Sequence, residues 1–165
     1  MRYRAPRPRP RAENGSSGPL GLAPRRLVLV DHGSPIPAVT AVRTWLAARL
    51  RERLGPGVVL DEAVMERRPG PEYDFNGDLL ESVLHRLAAA DPTSPILLPL
   101  LFLSPGRHAG PGGDLGAICA RVESAVPGFR VYPTALVGAH PGLIDLLAGR
   151  IAADAARPAE ASTSN

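Results

Sequence analysis

Between residues 27 and 153, short runs dominated by apolar residues alternate with stretches whose apolar residues recur every three or four positions. No other feature restricts the possible folds of this chain as much. The runs cover residues 27–30, 58–65, 96–103 and 129–132, the last continued loosely by 134–137. The run 27–30 is unbroken, as expected of a strand covered on both faces in a parallel sheet. The intervening segments carry helical spacing. They are 38–54 (Val39, Val42, Leu46, Leu50, Leu54), 75–90 (Leu79, Leu80, Val83, Leu84 and Leu87 inward), 114–126 and 143–153. Gly55-Pro56-Gly57, Asp91-Pro92 and Pro127-Gly128 punctuate the first three, Asp114 is a predicted N-cap, and Pro141 stands near the first turn of the last. Alternation of this kind predicts an α/β fold: a four-stranded, mainly parallel sheet with helices on both faces. By analogy with doubly wound folds the strand order is taken as 2-1-3-4, with its reversal between strands 1 and 3.

At 165 residues the chain is long enough for one domain with a sizeable core. Residues 1–24 are rich in Pro, Arg, Gly and Ser without apolar periodicity and are expected to form a disordered arm. The domain is placed at 25–155, and a disordered tail at 156–165. The net charge of +3 belongs to the arm. Residues 1–26 hold seven arginines against Glu13, which gives +6 and leaves −3 for the rest. A nucleic-acid groove in the folded body is therefore not expected. No apolar run is long enough to span a bilayer, and no apolar stretch of a secretory signal follows the basic start. Cys119 is the single cysteine, which excludes an intrachain disulfide and a thiolate zinc cluster. It reads as a small buried hydrophobe in a reducing, cytoplasmic setting.

Two histidines stand where an apolar run gives way to a glycine-bearing loop: His32 in Asp31-His32-Gly33-Ser34, and His108 in Ser104-Pro105-Gly106-Arg107-His108. Open α/β sheets bind ligands outside the carboxyl ends of their strands, at the point where strand order reverses. The assumed order brings both imidazoles to that crevice. Neutral imidazole is a common ligand for Fe(II), Co(II), Ni(II) and Zn, and two of them leave coordination positions open. Glu66, in Met65-Glu66-Arg67-Arg68-Pro69 after the second strand, can add a carboxylate. His140 can approach the same rim or serve only the loop leading into the last helix, while His85 reads as a surface residue. Gly106, Gly110, Gly112 and Gly113 free the loop after strand 3 of side chains, so backbone can approach a large flat ligand. Arg107, Arg67 and Arg68 can pair with carboxylates on an acidic ligand.

The motifs Asp31-His32-Gly33-Ser34, Met65-Glu66-Arg67-Arg68-Pro69, and Pro99-Leu100-Leu101-Phe102-Leu103-Ser104-Pro105-Gly106-Arg107-His108 with its following Gly110-Pro111-Gly112-Gly113-Asp114 resemble those of the short CbiX-type sirohydrochlorin chelatases. The resemblance covers roughly residues 26–153. It implies a three-layer class II chelatase fold and insertion of Fe2+ or Co2+ into sirohydrochlorin, toward sirohaem or cobalamin. His32 and His108 would handle the metal and accept protons, with Glu66 as the accompanying acid. Ser34, Gly106, Arg107 and Gly110 are the expected macrocycle contacts. The divalent metal enters as substrate, no cofactor is expected to be tightly bound, and a homodimer is implied. Pro35 stands where many relatives carry a basic residue. The alternative is a non-catalytic metal or tetrapyrrole carrier on the same crevice. A histidine-nucleophile phosphatase would need arginine directly before the histidine, where this chain has Asp31. A dinucleotide enzyme would need a glycine fingerprint after strand 1, which is not there.

Overall fold

A computed structural model describes residues 26–155. The arm expected at 1–24 and the tail at 156–165 lie outside the described residues. Four strands, β1 (Arg26–Asp31), β2 (Val59–Val64), β3 (Ile96–Leu98) and β4 (Val131–Pro133), form one sheet in the order β2-β1-β3-β4. Every pairing is parallel. The order assumed from sequence therefore holds, and β1 and β3 are adjacent at the reversal. Helices α1 (Pro37–Leu54), α2 (Leu80–Ala90), α3 (Asp114–Ala125) and α4 (Gly142–Ala155) complete the domain.

Successive side chains of β1 point to opposite faces, which divides the core in two. Val28 and Val30 join α2 (Val83, Leu84, Leu87) and α3 (Ile118, Val122) in the larger cluster. Leu27 and Leu29 meet Ala47 of α1 in the smaller one. Cys119 packs in the larger cluster as expected, and its burial pushes the thiol up to about 11.

Several boundaries differ from the sequence reading, each for a local reason. The ladder of β3 stops at Leu98 because Pro99 follows and the Leu100 N–H donates to the Thr134 hydroxyl instead of to a strand. The chain nevertheless stays extended along β1: Val30 N–H donates to Pro99, and Leu101 N–H to Val30. The helix expected from residue 75 begins only at Leu80. Before it, Pro71–Asn76 forms a 3-10 turn that ends at Gly77 with φ +76°. Leu79, expected inward, is the residue preceding α2 and is 38% exposed. Gly113 rather than Asp114 occupies the N-cap of α3, leaving the Asp114 carboxylate free for another partner. Residues 134–137 do not extend β4, and a short 3-10 turn forms at Val137–Ala139.

The helix predicted from the apolar spacing of 38–54 is α1, whose buried residues are Thr40, Arg43 and Ala47, with Leu46, Leu50 and Leu54 packed against the smaller cluster. Val39 and Val42 are exposed, as is Trp45. A buried arginine thus occupies the sheet-facing side of the helix near its start, and Val39 and Val42 lie outside the core.

Candidate functional site

β1 ends in Asp31, and Gly33 turns the chain with φ +85°. A Cβ at Gly33 would collide with the Glu66 carbonyl oxygen, so only glycine fits here. The close approach has a purpose. Met65 N–H donates to Asp31 and Glu66 N–H to His32, zipping the loops after β1 and β2 together. Glu66 is thereby delivered beside His32 without any long-range side-chain contact being needed.

The loop after β3 brings His108 to the same place. The His32 and His108 rings lie 5.1 Å apart between centroids. Phe102, fully buried, presents its ring to His32 in an edge-on contact at 4.4 Å. The two imidazoles sit in different surroundings. His32 is exposed, whereas His108 is only 7% exposed. His108 Nδ1 lies 2.9 Å from Asp114 Oδ2, and its Nε2 lies 3.9 Å from Glu66 Oε1.

Partial burial and the neighbouring His108 push His32 below its ordinary value of 6.5, while Asp31 and Glu66 pull weakly the other way. The unfolded chain then binds more protons than the folded one over the interval between the lowered value and 6.5. Across that interval stability falls as pH falls. Proton NMR titration of His32 should give a midpoint below that of a free histidine. In His108→Ala the midpoint should rise, because the charge repulsion from His108 is relieved. A midpoint at or above the free value in the wild type would rule this electrostatic picture out.

Behind His32 lies a network that sequence reasoning missed. The Arg43 guanidinium, in a side chain 4% exposed, meets Asp31 Oδ1 at 2.9 Å and Glu62 Oε2 at 3.3 Å, and donates to the Asn76 carbonyl at 2.8 Å. Asn76 is buried in turn. Its side chain accepts from Ser34 N–H at 2.9 Å and donates to the Ser34 carbonyl at 2.8 Å. Asp31 Oδ1 also accepts from Gly33 N–H. The loop carrying His32 is thus held on both sides by buried polar groups. The one signal available was an arginine at a helical position three before Leu46 and four after Val39, too common to single out.

The remaining expected site residues divide. Ser34 is near His32, but its hydroxyl accepts from Ile36 N–H and its backbone is taken by Asn76. Gly110 N–H donates to Gly106, and a Cβ at Gly110 would stand 2.6 Å from that carbonyl, so these glycines close the loop on itself. Arg107 is exposed and reaches Asp114 at 3.4 Å. Arg67 pairs with Asp74, and Arg68 lies over the Tyr73 ring. His140 borders a second cavity, which shares Leu101 and Val137 with the one beside His32, and its Nδ1 accepts from Gly142 N–H at the start of α4. His85 is on the surface, as expected.

A cavity of about 530 Å³ opens beside His32. Val39, Val42 and Leu46 of α1 form one wall, and Leu101, Leu103 and Val137 the other. His32 borders this apolar space and also faces His108, while His108 and Glu66 are not part of its lining. Among the described residues, no group of three or more His, Cys, Asp or Glu side chains is arranged to hold a metal ion. Two imidazoles beside a flexible carboxylate and a broad apolar wall can receive a cation, take up protons and seat a flat apolar ligand.

The family model named CbiX matches residues 26–154, which spans all four strands and all three site loops. The chain belongs to the CbiX family. Membership carries a chelatase role, metal insertion into a tetrapyrrole. No curated protein matches the chain. No helix among the described residues is long and apolar enough to cross a membrane.

Proposed function

We propose that this CbiX-family chain inserts Fe2+ or Co2+ into sirohydrochlorin, with His32, His108 and Glu66 as the reacting side chains. The observation that carries the reading is the 5.1 Å approach of two imidazoles beside an apolar cavity large enough to take one edge of a macrocycle. Metal insertion requires two pyrrole N–H protons to leave and a partly dehydrated cation to reach the ring centre. Neutral imidazoles perform both tasks near neutral pH. His32, exposed and held below its ordinary value, is the group that meets the incoming cation without competition from a proton. His108 and Glu66 take up protons released from the ring. Arg107, exposed at the rim, is suited to a substrate carboxylate, and the open space over Gly106 leaves room for the macrocycle, while Ser34 and Gly110 contribute by fixing the shape of their loops.

In this reading two copies work together. Helix α4 buries none of its residues, and Ile144, Leu147 and Ile151 form an exposed apolar stripe at helical spacing. A second copy of the chain is the occupant we assign to it, giving a homodimer, and a reducing cytoplasm suits the lone buried thiol.

The deciding experiment incubates the purified chain with sirohydrochlorin and each divalent ion while the absorption spectrum is followed. Many turnovers per chain, with Fe2+ or Co2+ preferred, support the assignment. A single stoichiometric change with no turnover makes the chain a carrier instead.

A further inference from the structure

Resting on the reading above, we infer that Asp114 is a positioning residue. It holds the proton of His108 on Nδ1, so that the Nε2 lone pair stays open on the side of Glu66. A neutral imidazole has one N–H and one lone pair, and a carboxylate only accepts. His108 lies between two carboxylates, Asp114 at 2.9 Å from Nδ1 and Glu66 at 3.9 Å from Nε2. Only the first distance is a hydrogen bond. The proton therefore sits on the Asp114 side, and Nε2 faces Glu66 as acceptor toward acceptor, with room between them for a cation or an incoming proton.

The clamp is built into the backbone as well. His108 accepts from Leu115 N–H through its carbonyl, one residue beyond Asp114 at the start of α3. A Cβ at Gly113 would stand 2.5 Å from the His108 carbonyl and 2.6 Å from that of Arg107, so the loop folds directly onto the helix start. Gly113 occupies the N-cap of α3, which leaves the Asp114 side chain to the imidazole. The Arg107 guanidinium lies 3.4 Å from the same carboxylate oxygen and adds positive charge beside it. Among the described residues His32 has no comparable side-chain anchor, so the two histidines divide the work between one fixed ring and one exposed ring.

The test reads the tautomer directly. In 15N-labelled protein without metal, the imidazole nitrogen shifts of His108 should show the proton on Nδ1. In Asp114→Ala the proton is free to move to Nε2, where Glu66 can accept it, and the two shifts should exchange character. Co2+ affinity of the protein alone, followed by its visible absorption, should fall about 10–100-fold in that variant, as losses of outer partners of metal-ligating histidines do. A wild-type proton on Nε2 overturns the inference. So does an Asp114→Ala protein whose His108 signals do not move, or whose Co2+ affinity stays within about twofold of wild type. The wild-type spectrum needs no folded variant. It also separates the two readings: failure to metallate sirohydrochlorin removes the chelatase assignment and leaves the tautomer to be judged by itself.

Discussion

His108→Ala is expected to slow metallation of sirohydrochlorin by about 10²–10⁴-fold, the range ordinarily lost with a positioned proton acceptor. The ring is buried, fixed by Asp114 and 5.1 Å from His32, so no water can take its place with the same orientation. The fold should survive. Asp114 keeps Arg107 as a partner at 3.4 Å, and the His108 backbone carbonyl still accepts from Leu115. His32→Ala should be comparably slow, whereas His140→Ala should metallate normally, because His140 is outside the lining of the cavity beside His32 and its Nδ1 is bonded to Gly142 N–H at the start of α4. Initial rates from absorbance traces, with circular dichroism to check folding, decide the matter. A His108→Ala protein that turns over at close to the wild-type rate removes His108 from the chemistry.

Arg43→Met should destabilise the domain by about 3 kcal/mol, the low end of what is lost when one member of a buried ion pair is deleted. The methionine keeps much of the stem's packing, but Asp31 and Glu62 lose their shared cation and the Asn76 carbonyl loses its donor. The low end applies because the Asp31 and Glu62 side chains are 13% and 19% exposed, so water relieves part of the penalty. Arg49→Met is the comparison. Arg49 and Glu52 are 62% and 64% exposed, and such surface pairs contribute at most about 1 kcal/mol. Urea unfolding at constant slope gives both values. A cost below about 1 kcal/mol for Arg43→Met would mean that the network does not hold the His32 loop, since an interaction that weak is typical of solvated pairs.

Much of the architecture was legible because parallel sheets announce themselves. Residues 27–30 read as a doubly covered strand, and Leu27 and Leu29 indeed pack on one face while Val28 and Val30 pack on the other. The boundaries that shifted did so where a single backbone group had no partner in the expected element. Pro99 is followed by an N–H that finds the Thr134 hydroxyl, and Gly77 takes a positive φ that no helix continues. The orientation of α1 was not legible, for a different reason. Periodicity reports which side chains share a face, but it does not say whether that face meets the sheet or a cavity. Val39 and Val42 share a face that borders the cavity beside His32.

From the order of residues alone came the parallel α/β layout, the loops that carry His32, Glu66 and His108, and the family to which those motifs belong. These are local properties, written in the spacing of apolar side chains and in short glycine-bearing motifs. What tertiary structure alone decided was the roles that depend on distance: the ring approach of His32 and His108, the grip of Arg43 on Asp31 and Glu62, and the turning of Asp114 from helix cap to imidazole partner. A carboxylate one position inside a helix start can bond its own backbone or a ring six residues earlier, and only the packed loop determines which nitrogen comes within reach.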